Sequence, residues 1–132
     1  SNRYLEVNGM KAIIAQFTQQ LTRLVEHSLV EGEVNYRDCF VAKFVNNQFI
    51  EYHSDGSAGR YAFIYQLSKG WQPKYGGQLQ LFPRKIKFYK KSLLPEFNSL
   101  ALLKLDHPMH HSVKILKTPK HKQRYTISGW IV

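Results

Sequence analysis

What most constrains this chain is its rhythm after residue 32. Short runs rich in β-branched and aromatic residues recur at 39–45, 49–55, 61–67, 78–82, 99–105, 111–116 and 124–131. Turn formers separate them, such as Asp55-Gly56-Ser57-Ala58-Gly59 and a 71–77 stretch with one proline and paired glycines. Strands this short and this closely punctuated bury their apolar faces only by closing on one another. That predicts an all-β sandwich or barrel. A further short strand within 4–7 would raise the set from seven to eight.

The N-terminal part has a different period. Met10, Ile13, Ile14, Phe17, Leu21, Leu24 and Val25 recur at steps of three and four, with Gln, Thr, Arg and Glu between them. One apolar stripe of this kind predicts a helix over about 9–28, with Asn8 as its N-cap. The stripe must be covered, so the helix is expected to support the barrel from outside. Its polar face is rich in Gln and Thr rather than Lys, unlike a helix that lies on a membrane surface.

A chain of 132 residues supports one domain, expected over 1–132 with the barrel at about 36–132. Cys39 is the single cysteine. An internal disulfide and a cysteine-built zinc site are therefore excluded, and a reducing, cytoplasmic home is the expectation. No apolar run approaches the roughly 20 residues that span a bilayer, and the first residues show no signal-peptide pattern, so no membrane partner is expected.

The formal charge is +10, from 19 Lys and Arg against 9 Asp and Glu. Much of it sits in Arg84-Lys85-Ile86-Lys87-Phe88-Tyr89-Lys90-Lys91 and in the lysines from Lys114 to Lys122. Both stretches read as solvated loops or strand edges, where lysine discourages edge-to-edge pairing. The second reading is a surface for an anionic partner, nucleic acid included.

Three segments carry chemistry. In His53-Ser54-Asp55 an imidazole and a carboxylate stand two residues apart, on one face of a strand, where they can share a metal. His110-His111-Ser112-Val113 opens a later strand. In Arg124-Tyr125-Thr126-Ile127-Ser128-Gly129-Trp130 an arginine and two hydroxyls share one face of an otherwise apolar strand. A buried arginine requires an anion, and a carboxylate is its natural two-point partner. Two histidines and one carboxylate on one face of an iron leave positions open for a co-substrate and dioxygen.

In these residues the chain resembles the 2-oxoglutarate- and iron(II)-dependent dioxygenases, in their prolyl 4-hydroxylase-like branch. The likeness extends to Arg60-Tyr61-Ala62-Phe63-Ile64-Tyr65-Gln66-Leu67-Ser68-Lys69-Gly70-Trp71, to Gly76-Gly77-Gln78-Leu79-Gln80-Leu81-Phe82, and to Phe97-Asn98-Ser99-Leu100-Ala101-Leu102-Leu103. It covers about residues 39–132 and is nearest to the hypoxia-sensing and ribosomal-protein prolyl hydroxylases. The resemblance implies a mainly β fold with flanking α, a double-stranded β-helix (jelly-roll, cupin-like) barrel. It implies His53, Asp55 and His111 as catalytic iron ligands, His111 rather than His110 because the family's His-x-Val pattern fits Val113. It implies Arg124 as the clamp on 2-oxoglutarate, with Thr126 beside it. His107 and His110 then read as loop imidazoles.

The implied activity is hydroxylation of a prolyl residue in a protein or peptide, with iron(II) as cofactor, 2-oxoglutarate as co-substrate, ascorbate as a stimulant, and release of succinate and carbon dioxide. Two positions depart from the pattern: Phe44 and Gln66 stand where relatives place co-substrate tyrosines. The segment from His111 to Arg124 is also longer, by the lysine-rich turn. Two other readings stay open on the residues alone. One is a dioxygenase-fold protein that binds or modifies nucleic acid through its basic loops. The other is a non-catalytic, metal-binding barrel.

Overall fold

The structure is a computed structural model and describes residues 10–82, 91–106 and 109–132. Asn8, the strand expected within 4–7, the basic residues 84–90 and His107 lie outside the described residues.

Helix α1 runs over Met10–Val25. Leu21 and Val25 are buried, and Met10 and Phe17 pack on the same core. Ile13 and Leu24 do not: they are 53% and 60% exposed, so the covered stripe is narrower than the sequence pattern. The helix ends three residues before the expected 28. The Val25 carbonyl accepts the N–H groups of both Leu29 and Val30, at 3.1 and 2.9 Å. That double contact turns the chain off the helix axis and brings Val30 back onto the core of Leu21 and Val25.

Among the described residues the barrel has eight strands. β1 (Tyr36–Phe44), β3 (Tyr61–Gln66), β6 (Leu100–Lys104) and β8 (Arg124–Ile131) form one sheet in the order β1-β8-β3-β6. β2 (Ile50–Ser54), β4 (Leu79–Phe82), β5 (Lys91–Leu93) and β7 (His110–Val113) form the other, in the order β2-β7-β4-β5. Every pairing is antiparallel. Successive strands alternate between sheets over most of the chain, which makes the fold a double-stranded β-helix.

The two-residue period of a strand sorts each side chain to one face. In the first sheet Val41, Tyr61, Phe63, Ile127 and Ile131 face outward, where α1 covers them. Phe63 is fully buried there, 6.0 Å from Phe17 and edge-on to Tyr36 at 5.8 Å. Burying one such ring contributes about 1.5–3 kcal/mol. On the inner face Ala42 and Phe44 meet Leu79 and Val113 of the second sheet, with Trp71 and Leu116 in the same cluster.

Three boundaries differ from the sequence pattern. β1 begins at Tyr36 and carries a bulge between Arg37 and Phe40, where Asp38 takes φ 53°. Lys91 opens an edge strand, β5, paired to Leu81 of β4. The run expected over 111–116 leaves its ladder at Val113. Leu116 instead fills the inner cluster, and its N–H bonds Gln48 O at 3.0 Å. Ile115 and Leu116 look like strand residues only because one of them is needed as a plug.

The antiparallel order gives the barrel two ends. Connection 55–60 and residues 105, 106 and 109 lie at the end where β2 stops and β7 starts. Connections 45–49, 67–78, 94–99 and 114–123 lie at the other, where β8 starts. Gly76 belongs to this second end. It holds φ 73° and ψ −150°, a region that is essentially glycine-only. A Cβ there would also meet Ile115 O at 2.0 Å, while its own carbonyl receives Trp71 Nε1–H at 2.8 Å. Gly76→Ala is expected to destabilise the fold by about 3 kcal/mol, read as a fall in the urea midpoint. A midpoint equal to the parent's would contradict this placement. Among the described residues no helix is long and apolar enough to cross a membrane.

Candidate metal and co-substrate site

Between the two sheets is a cavity of about 230 Å³. His53, Asp55 and His111 line it at one end, and Arg124, Thr126 and Phe44 line it as well. β2 and β7 place the histidines directly opposite each other, His53 against His111. Asp55 follows β2 by one residue, so it shares the face of His53.

The ligand atoms of His53, Asp55 and His111 all lie within 4.8 Å of one another. His53 Nε2 is 3.3 Å from Asp55 Oδ1, and His111 Nε2 is 3.7 Å from Asp55 Oδ2. Each ring is oriented from behind. His53 Nδ1 faces the Glu51 carbonyl at 2.7 Å, and His111 Nδ1 faces the Met109 carbonyl at 3.3 Å. A carbonyl only accepts, so both rings carry their proton on Nδ1 and turn Nε2 toward Asp55. There each Nε2 needs a proton or a metal ion between itself and the carboxylate. The side chains of His53, Asp55 and His111 are 37%, 11% and 8% exposed, so the cluster opens toward solvent on the His53 side.

Burial alone would raise the Asp55 carboxyl. The hydrogen bond from His53, the charge of His111 and the Trp130 N–H outweigh it and hold Asp55 below its ordinary range. His111 is pushed below its ordinary value chiefly by burial, against the pull of Asp55. A carboxylate that stays ionised beside an imidazole that stays neutral is the protonation state in which both can bind a divalent cation.

The residue pattern alone assigns Trp130 no role. Its Nε1–H donates to Asp55 Oδ2 at 3.1 Å. The signal was present: Arg124, Thr126, Ser128 and Trp130 alternate along β8 and all line the cavity.

Arg124 is 2% exposed. Its Nε–H donates to Gly77 O at 3.1 Å, and its guanidinium lies 4.9 Å from the centre of the Phe44 ring. Nη2 is buried with no hydrogen-bond partner. Burial pushes the guanidinium down to about 10, so the fold disfavours its charge. An orphaned donor on a buried cation, lining a cavity, fits a ligand that brings an anion to it. Together with the His-Asp-His cluster this suits a dicarboxylate that chelates a metal by one end.

Thr126 is 1% exposed and accepts a 3.2 Å hydrogen bond from Ser128 Oγ. Phe44 occupies the face of Arg124 as an apolar floor. Gln66 is buried with Oε1 unpartnered and is the ladder partner of Thr126. Tyr65 points the opposite way and packs on Phe17 at 5.3 Å. His110 is a strand residue of β7, not a loop imidazole. It faces away from the cavity and stacks on Tyr52 at 4.8 Å.

A family model described as the 2OG-Fe(II) oxygenase superfamily matches residues 39–132. Among solved structures the chain is similar to a Pseudomonas putida prolyl-4-hydroxylase, with 21% identity and a TM-score of 0.68 over 96% of this chain and 66% of that one. It is similar to a Trichoplax adhaerens prolyl hydroxylase in complex with a hypoxia inducible factor oxygen degradation domain peptide fragment, with 24% identity, TM-score 0.71, and 99% and 60% covered. A viral collagen prolyl hydroxylase from Paramecium Bursaria Chlorella virus-1, in its 2OG complex, matches at 13% identity, TM-score 0.69, with 96% and 75% covered. Identities this low show a shared fold. The chain spans less than two thirds of the length of the first two of these structures.

Proposed function

The chain belongs to the 2OG-Fe(II) oxygenase superfamily, and on that premise we propose that it is an iron(II)- and 2-oxoglutarate-dependent hydroxylase of a prolyl residue in a protein or peptide. The observation that carries the reading is one cavity with two complementary features: a His-Asp-His cluster that opens toward solvent, and a buried guanidinium whose Nη2 has no partner. The Trichoplax adhaerens protein's peptide complex supports the choice of a peptide.

His53, Asp55 and His111 would hold iron(II), and Arg124 the distal carboxylate of 2-oxoglutarate, with Thr126 as a neighbouring hydroxyl. Bound together, iron(II) and 2-oxoglutarate supply the means to use dioxygen for hydroxylation, with succinate and carbon dioxide released; ascorbate would keep the iron reduced. The chain's own share is positioning. Glu51 and Met109 carbonyls fix the two imidazoles. Trp130 fixes one carboxylate oxygen of Asp55. Phe44 and the apolar walls Leu79 and Val113 keep water from the guanidinium, which strengthens its hold on a carboxylate. The open His53 side is where a peptide would enter.

Trp130→Phe keeps an aromatic wall but removes the N–H on Asp55. Iron affinity is expected to fall about 10–100-fold, as for other partners of metal ligands. Competition with a chelator measures it, and an unchanged affinity would remove Trp130 from the site's support. The functional reading itself is tested by incubating the protein with iron(II), 2-oxoglutarate, dioxygen and proline-bearing peptides. Peptide gaining one oxygen atom at proline, with matching succinate, is the expected result. Succinate release that no peptide stimulates would overturn the choice of peptide.

A further inference from the structure

The lysine-rich turn takes no part in the cavity, yet the fold gathers it with other lysines. The four connections at the Arg124 end contain Lys69, Lys74, Lys114, Lys117, Lys120 and Lys122, together with His121, against the single acid Glu96. Half of the chain's net charge of +10 thus lies on one end of the barrel. Five of the six lysines are exposed, and Lys122 is half-buried. Among the described residues none of the six joins an ion pair.

This end is also held in place. Lys117 Nζ donates to Asn47 Oδ1 at 2.8 Å, and Thr118 N–H donates to Asn46 Oδ1 at 3.0 Å. Lys122 Nζ donates to the Lys69 carbonyl. Aromatic rings stand among the charges. Phe49 and Phe97 are 47% and 48% exposed, and Lys69 Nζ lies 5.0 Å from the Phe97 ring centre. Lys74 Nζ lies 6.0 Å from the ring of Tyr75.

We propose that this end of the barrel, opposite the His53 opening, is a docking surface for single-stranded nucleic acid. Uncompensated lysines meet phosphates, and exposed rings beside them stack on unpaired bases. Carboxylate side chains alone would use the lysines but offer no flat face to Phe97. A duplex hides its base faces. The surface goes beyond the hydroxylase reading and does not depend on the metal site.

The test is binding of the full chain to single-stranded oligonucleotides of about 16 nucleotides, the upper end of common site sizes, across a salt series. Poly-glutamate and a duplex of equal length run beside them. Saturable binding is expected, with log affinity falling against log salt at a slope of about −3, as for four or five phosphates. Lys114→Gln with Lys120→Gln should lower the slope's magnitude by about 1.4 and weaken binding at low salt at least about fivefold. Phe97→Ala should weaken binding about tenfold and leave the slope alone. His53→Ala should bind like the parent, which separates this surface from the cavity. Melting curves confirm that each variant folds. No binding at low salt would overturn the proposal, as would binding insensitive to the lysine pair. So would poly-glutamate or duplex binding as tightly as single strands with Phe97→Ala without effect.

Discussion

Arg124→Met is expected to abolish 2-oxoglutarate binding while leaving the empty protein as stable as the parent or more so. The buried guanidinium is held by Gly77 O through Nε and by the Phe44 ring, but Nη2 has no partner, and burial pushes the group down to about 10. Desolvating a cation this incompletely paired costs several kcal/mol. Methionine fills similar space with no charge to desolvate, and gives up one hydrogen bond from a charged donor to the Gly77 carbonyl, worth about 1.5–3 kcal/mol. Replacing buried charges by apolar side chains is often neutral or stabilising by about 1–4 kcal/mol. Thermal melts of the iron-free protein read the first effect. The second is read with co-substrate present. The parent should gain about 2.7 kcal/mol at a hundredfold excess over the dissociation constant, and Arg124→Met should gain none. A variant that is strongly destabilised and still binds 2-oxoglutarate would make Arg124 a structural residue rather than a clamp.

Asp55→Asn is expected to cost more than a hundredfold in iron affinity and to remove turnover. The amide nearly matches the carboxylate in shape, so the loop after β2 can persist, and so can the Trp130 contact when the amide oxygen takes the place of Asp55 Oδ2. What it lacks is the negative charge to which both Nε2 atoms are directed. An outer partner alone carries 10–100-fold, so the ligand itself should carry more. Chelator competition and succinate release measure the two effects. Iron affinity within a few fold of the parent's would show that the metal is held elsewhere.

Much of the site was legible because strand geometry is local. His53 and Asp55, two apart, share a face whatever the rest of the chain does. The alternation of Arg124, Thr126 and Ser128 against Tyr125 and Ile127 predicted a polar stripe on a buried strand, and both Arg124 and Thr126 are buried. What period alone could not supply was pairing. The meeting of His53 with His111 depends on a register between strands almost sixty residues apart in sequence. The family pattern favours His111 over His110, and in the fold His111 clusters with His53 and Asp55 while His110 points to the other face, onto Tyr52. Phe44 and Gln66 looked like losses in a co-substrate pocket. Phe44 proves to be the apolar face against which the guanidinium lies. The helix was legible from its stripe but not its end, because Val25's carbonyl takes two partners in a turn with no proline to announce it. β5 was hidden because it starts at the last residue of a lysine-rich run, Lys91, and that run's composition reads as an edge or a loop alike.

The most direct measurement is succinate formed from 2-oxoglutarate by the purified chain under iron(II) and dioxygen, with and without proline-bearing peptide. The expected result is release that requires iron, rises with peptide, and disappears in both His111→Ala and Arg124→Met. A chain that binds iron through His53, Asp55 and His111 yet releases no succinate under any of these conditions would contradict it, and would leave a metal-binding barrel without the chemistry.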